Sequence, residues 1–198
     1  MRDKELLPTA TVRRATGAGR RSGQIAAHRL SLVVQYGVAA TTLPTIAMLR
    51  RWVRAAQERD VAVLLRFTGT REACTLNATF RGKEYATNVL TFVYDDVVPL
   101  AGDLVVCAPV LRHEAKSQSK TLADHCAHLV VHGMLHLQGY DHDSDRAARA
   151  METRESAILA GLGIADPYAN PYAGRRHPRR ASSASPTPRP PAPDAPRR

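Results

Sequence analysis

The chain has 198 residues, 44% hydrophobic and 5% aromatic, with a formal net charge of +10. That length allows one domain, or one domain carrying extensions, and the apolar share suffices for a packed core, which excludes wholesale disorder. No run approaches the ~18 consecutive apolar residues of a membrane span. The three cysteines lack paired spacing, which excludes a disulfide framework and points to a reducing, cytoplasmic compartment.

Residues 1–27 carry a net charge of +4 and residues 171–198 a net of +6, whereas residues 28–170 are electrically balanced. The N-terminal 27 residues contain no apolar stretch of the kind a secretory signal needs, and Asp3 and Glu5 argue against an organellar presequence. They read as a flexible basic extension. Residues 171–198 hold eight of the thirteen prolines and almost nothing apolar, so they are expected to be disordered. Both ends read either as nucleic-acid arms, which release counterions on meeting phosphates, or as solvated extensions.

Residues 28–170 read as the folded domain. Leu30 to Val38, Asp60 to Thr68, Asn88 to Tyr94 and Asp103 to Ala108 are short, β-branched-rich runs expected to be strands. A helical pattern runs from Thr42 to Ala56, with Pro44 in its first turn. A short helix is expected over Arg71–Phe80, followed by a loop at Arg81-Gly82-Lys83. Residues 109–118, 121–138 and 145–161 complete the helices. The sum is a small single α/β or α+β domain, with about four strands and its longest helices last.

Five of the eight histidines fall in 125–142. Thr121 and Asp124 form a capping pair at the start of that helix, and Gly139 suits its left-handed end. Leu122, Cys126, Leu129, Val130 and Leu137 form the apolar stripe, while His125, His128, His132 and His136 recur every three or four residues. His132 and His136 are four apart, so both rings can reach one ion. His128 lies eight residues from His136, or ~12 Å, too far to share a tetrahedral site. The turn at Gly139 can bring His142 back over the helix, giving three nitrogens and an open fourth position, as in catalytic zinc sites. Nickel, copper and iron remain open on ligand type. His125 and His128 read as capped or packed residues, with His128 placed to support His132 from behind. In the metalloprotease pattern H-E-x-x-H a glutamate follows the first histidine. Here Gly133 stands in its place, which counts against peptidase chemistry.

HGMLHLQGYDH (132–142) resembles the signature of the YbeY family of bacterial rRNA-maturation endoribonucleases. LNATFRGKEYATNVLTF (76–92), GDLVVCAPVLRHEA (102–115) and Asp166-Pro167-Tyr168 are similar to further family blocks, so the resemblance spans roughly 30–170. It implies a zincin-like α+β fold with a mixed sheet and a metal-binding helix near the domain's C-terminal end. It also implies one Zn²⁺ per chain on His132, His136 and His142. The implied activity is single-strand endoribonuclease cleavage in late 16S rRNA 3′-end maturation and ribosome quality control. The implied partners are rRNA, the small ribosomal subunit, and ribosomal proteins or a ribosome-associated GTPase, with no membrane contact. Arg81 matches an arginine the family treats as functional; Thr91 and Val93 depart from the family's usual Ser and Pro.

Arg81 and His136 are the residues expected to carry catalysis, Arg81 as a guanidinium fork on phosphate oxygens. No general base is evident. Asp141 reads first as a turn residue, Glu84 and Asp103 are weaker candidates, and attack by water or by the 2′-OH stays open. Asn88 reads as a capping or turn residue. An rRNA-binding assembly factor with a mainly structural metal is the alternative, and a hydrolase of peptides or small molecules ranks third.

Overall fold

The short runs rich in β-branched residues form four strands: β1 (Leu30–Tyr36), β2 (Val61–Thr68), β3 (Val89–Tyr94) and β4 (Leu100–Cys107). The computed structural model describes residues 28–94 and 99–169, so the expectations for residues 1–27 and 171–198 lie outside the described residues. The sheet order is β1-β2-β4-β3, with β1 and β4 parallel to β2 and β3 antiparallel to β4. β3 is therefore an edge strand. The helices are α1 (Ile46–Ala56), α2 (Thr70–Arg81), α3 (Ala108–Ser117), α4 (Leu122–Leu137) and α5 (Asp145–Gly161). The described residues thus form a single α+β domain with a four-stranded mixed sheet packed by five helices. No described helix is long and apolar enough to cross a membrane.

Several boundaries differ from the sequence reading: β1 ends at Tyr36 rather than Val38, α2 runs over Thr70–Arg81 and takes in Arg81, and the two largest shifts are at the starts of α1 and β4. α1 begins at Ile46 because Thr45, not the residues before Pro44, caps it: its Oγ1 accepts from the Met48 amide at 3.3 Å. Pro44 sits ahead of the cap, where a missing N–H costs nothing. β4 starts three residues earlier than expected, at Leu100, because Gly102 interrupts the β-branched pattern without interrupting the ladder. A Cβ on Gly102 would lie 2.2 Å from Leu137 Cδ2 and 2.3 Å from the Phe92 carbonyl oxygen, so only glycine fits beneath α4.

The core lies between the sheet and α4. Val61, Val63, Leu65 and Phe67 of β2 and Leu104 and Val106 of β4 are buried against Val130, Val131, Met134 and Leu135 of α4. α1, α3 and α5 flank α4, while α2 contacts β4 and packs on the other face, where Leu76, Asp103 and Val105 line one groove. Enclosure on several sides explains why α4 is buried well beyond its expected stripe, with Ala127, Val131, Met134 and Leu135 added. Its end is pinned by Gln138, whose Nε2 donates to the Ala56 and Met134 carbonyls at 2.8 and 3.0 Å. Gln138 Oε1 accepts from the Glu58 amide at 2.6 Å. This clamp fixes the turn from which the chain leaves α4.

Candidate metal centre

Local sequence delivers the three histidines. Thr121 Oγ1 accepts from the Asp124 amide at 3.0 Å and starts α4 in the expected register. Gly139, at φ 91°, ends it in the left-handed region that favours glycine. The Tyr140 amide donates to the Leu135 carbonyl at 3.1 Å, and its hydroxyl donates to Glu58 at 3.2 Å, so Tyr140 is held at both ends. The reversed chain then lays His142 against the helix, its ring centroid 5.0 Å from that of His136 and 6.1 Å from that of His132. A ligating nitrogen from each of His132, His136 and His142 lies within 4.8 Å of the others.

Proton positions follow from what each outer nitrogen meets. His136 Nδ1 lies 3.0 Å from the Tyr140 carbonyl oxygen, which only accepts, so Nδ1 carries the proton and Nε2 a lone pair. His132 Nδ1 lies 3.4 Å from Glu155 Oε2, which assigns the same tautomer. The two Nε2 atoms then face one another at 3.1 Å, two acceptors with no proton to share. A cation resolves that conflict. Two nitrogens bound at 2.0–2.1 Å to one tetrahedral ion lie about 3.3 Å apart, so this donor set fits zinc. Burial first, and then the nearness of the His132 and His142 rings, hold His136 below the ordinary imidazole range, which favours the neutral ligating form. His142 is exposed, so the centre opens to solvent on its side.

Glu155, on α5, is the site residue that sequence reading missed. Its side chain is fully buried and is shared by His132, His128 and Tyr168. Tyr168 donates its hydroxyl to Glu155 Oε2 at 2.7 Å. His128 Nε2 stands 2.9 Å from Oε1 but out of line for a hydrogen bond. Burial alone would raise this carboxyl; its contacts with His128, His132 and Tyr168 outweigh that and bring it down to about 2. Tyr168 is pushed up in turn, by burial and by the acceptor it faces. The available signal was an acid on a buried stripe, since Glu155 falls in line with Met151, Ile158 and Leu159.

The other expected residues separate cleanly. His125 is buried against Glu114 at 2.8 Å, and Glu114 also accepts from Asn88 Nδ2 at 3.1 Å, so both His125 and Asn88 are spent internally. His128 stands behind His132 through their shared carboxylate, outside the three-nitrogen cluster. Asp141 is exposed and accepts from the His142 amide at 2.7 Å, a turn contact that holds its carboxyl below the usual range. Asp103 accepts from the Tyr94 hydroxyl on the opposite face of the sheet. Glu84 is exposed. Arg81 occupies the last turn of α2 rather than a loop, capped by Gly82 at φ 65°, and its side chain is exposed.

Gly133 has a steric explanation. Its Cβ would lie 2.6 Å from Leu104 Cδ2 and 3.2 Å from Thr91 Oγ1, because α4 presses on β3 and β4 there. No glutamate fits this position, and a peptidase base is excluded by packing. Gly133→Ala is expected to cost about 1–3 kcal/mol through overpacking, read as a lower urea midpoint with metal content retained. An unchanged midpoint would contradict that packing.

A family model described as Endoribonuclease YbeY matches residues 40–163, which include all three clustered histidines, Arg81 and Glu155. The chain belongs to the endoribonuclease YbeY family. An Endoribonuclease YbeY of Aromatoleum aromaticum is 51% identical over 149 residues, covering 74% of this chain and 97% of the relative. That of Nitrosomonas europaea is 52% identical over 139 residues, covering 70% and 85%. A Thermotoga maritima protein, TM1509, known from a solution structure, aligns at a TM-score of 0.45 with 23% identity, over 71% of this chain and 99% of that one. The YbeY match leaves β1 and Tyr168 outside its bounds, so the Tyr168–Glu155 contact ties flanking chain to the matched region.

Proposed function

We propose that the chain is a zinc-dependent, single-strand-specific endoribonuclease of small-subunit rRNA 3′-end maturation and ribosome quality control. Membership of the YbeY family makes it an endoribonuclease; the zinc, the substrate and the roles below are our reading. His132, His136 and His142 hold one zinc ion. The observation that carries this is the pair of Nε2 atoms 3.1 Å apart, with the Nδ1 atoms behind them facing the Tyr140 carbonyl and Glu155. Three ligands and an exposed His142 fit an open catalytic site better than a closed structural one. Zinc supplies there a lowered water pKa, toward ~7, and a Lewis acid for a phosphoryl oxygen.

The remaining work falls to the chain. Tyr140 and Glu155 keep His136 and His132 in the ligating tautomer, and the Gln138 clamp keeps the 139–142 turn in place. Arg81, exposed at the α2 terminus, binds the phosphate through its planar fork. With position 133 closed to any carboxylate, the proton acceptor is either a group on the RNA or solvent at the open side. The folded unit is residues 28–170, and the basic extensions of 1–27 and 171–198 add sequence-independent affinity for rRNA. The protein acts in the cytoplasm on the small subunit, beside ribosomal proteins or a ribosome-associated GTPase.

Stripping metal with a chelator should abolish cleavage of a single-stranded rRNA fragment, and stoichiometric zinc should restore it, with the same fragment resistant once annealed to its complement. Cleavage by stripped protein, or equal cleavage of the duplex, contradicts the proposal. Arg81→Ala should lower cleavage by about 100-fold with metal content unchanged, the scale of removing one preorganised charge-stabilising donor.

A further inference from the structure

The chain has only ten aromatic residues, and four of them, Phe80, Tyr85, Phe92 and Tyr94, fall within fifteen positions around Arg81. Three are not core residues: Phe80, Tyr85 and Tyr94 are 63%, 57% and 50% exposed. Phe80 meets Phe92 edge-on at 5.0 Å and 69°, so one exposed ring is held in a fixed plane by the other. The pair forms one wall of an open groove of about 300 Å³ between α2 and the outer face of the sheet, with Tyr94, Arg66, Glu72 and Asp103 completing it.

The charges in that groove are largely spent. Arg66 pairs with both Glu72 oxygens at 2.7 and 3.1 Å, Thr68 donates to Glu72 at 2.6 Å, and Asp103 takes the Tyr94 hydroxyl. Arg81 and Lys83, which follow Phe80 within three positions, are exposed and have no ion pair among the described residues. Phosphates are thus disfavoured within the groove and favoured along its edge, while a flat apolar ring is favoured inside.

The groove lies on the face of the sheet opposite α4 and the metal centre, and strand β3 runs between the two. β3 is an edge strand of the sheet, and its first residue, Val89, lines with the preceding Asn88 a smaller cavity of about 160 Å³ that His128, His132 and Tyr168 also line. From Val89 to Tyr94 the strand spans about 17 Å at ~3.4 Å per residue, the length of a few nucleotides.

We propose that this α2–β3 edge is the binding track for the single-stranded RNA flanking the scissile bond, with a nucleobase stacked against Phe80 and Phe92 and the backbone running along Arg81 and Lys83. Aromatic platforms beside a cationic rim bind single strands because every base offers a face to stack on. The inference rests on the endoribonuclease reading and adds a subsite to it. It also gives a physical reason for single-strand preference, since a paired base cannot enter the groove.

The test uses single-stranded RNA oligonucleotides carrying 2-aminopurine at successive positions, bound in the presence of chelator. The wild-type protein should quench the probe at one or two neighbouring positions. Phe80→Ala should lose that quench and bind about tenfold more weakly, and in the zinc-loaded enzyme it should raise KM with kcat little changed. Phe80→Trp should retain both properties and Phe80→Leu neither. Because Phe80 is largely exposed, these variants should keep the wild-type melting temperature. Wild-type behaviour of Phe80→Ala would overturn the track, and Leu serving as well as Trp would mark the groove as a docking face for an apolar protein segment. In either case, a wild type that still cleaves RNA leaves the catalytic reading standing. A wild type that neither binds nor cleaves single-stranded RNA overturns both.

Discussion

His136→Ala should remove zinc and cleavage together while the domain stays folded. His136 is the middle ring of the cluster, 3.1 Å from His132 Nε2 and 5.0 Å between ring centroids from His142. It also anchors the turn that brings His142 back, through Nδ1 and the Tyr140 carbonyl at 3.0 Å. Truncating it thus removes one ligand and loosens a second. Outer partners of metal ligands typically contribute 10–100-fold to affinity or activity, so loss of a ligand should exceed about 100-fold in both. The structural loss is modest, about 1 kcal/mol for one hydrogen bond, because the core around Val130, Met134 and Leu135 does not depend on the ring. Metal analysis, circular dichroism and single-turnover cleavage on one sample separate these quantities. A His136→Ala chain that unfolds would instead mark the metal as structural, with binding coupled to folding.

Glu155→Leu should be the most destabilising exchange at the site. The carboxylate is fully buried and faces His132, His128 and Tyr168, so its removal strands three polar groups in the interior. Breaking one side of a buried pair in this way costs about 3–5 kcal/mol. Zinc affinity should fall with it, by roughly 10–100-fold, because His132 loses the acceptor that fixes its tautomer. Tyr168→Phe removes only one donor to the same carboxylate and should cost about 1 kcal/mol.

The same carboxyl sets an acid limit on the metal-free protein. Its folded value, about 2, lies below the ordinary 4.5, so its contribution is complete above about 4.5 and is lost as the pH falls toward 2. That contribution is on the order of 3 kcal/mol. Urea midpoints of the metal-free wild type should drop across this window, and those of Glu155→Gln should drop less. Parallel curves for the two proteins would contradict the assignment.

What the sequence disclosed was local. The spacing of His132 and His136, the Thr121 cap and the Gly139 terminus depend on residues within a few positions of one another, and all appear where expected. What it concealed depends on contacts across the fold. Gly102 hid the start of β4 because its reason for being glycine is Leu137, thirty-five residues on. Gly133 read as a missing catalytic group, whereas its neighbours Leu104 and Thr91 would have to move to admit even a methyl group. Glu155 gained its role only through the α4–α5 packing that sets it behind His132. The exposure of Phe80, Tyr85 and Tyr94, close to Arg81 in the chain, likewise shows only in the fold.

The most direct test of the three-histidine zinc centre as a nuclease is metal content and single-turnover cleavage of an rRNA 3′-precursor fragment, both measured on one preparation, beside His136→Ala and a nuclease-free control. The predicted result is about one zinc per chain, with cleavage that the variant lacks. Zinc at that stoichiometry with no cleavage above the control would contradict it and identify a metal-stabilised ribosome-assembly factor in its place.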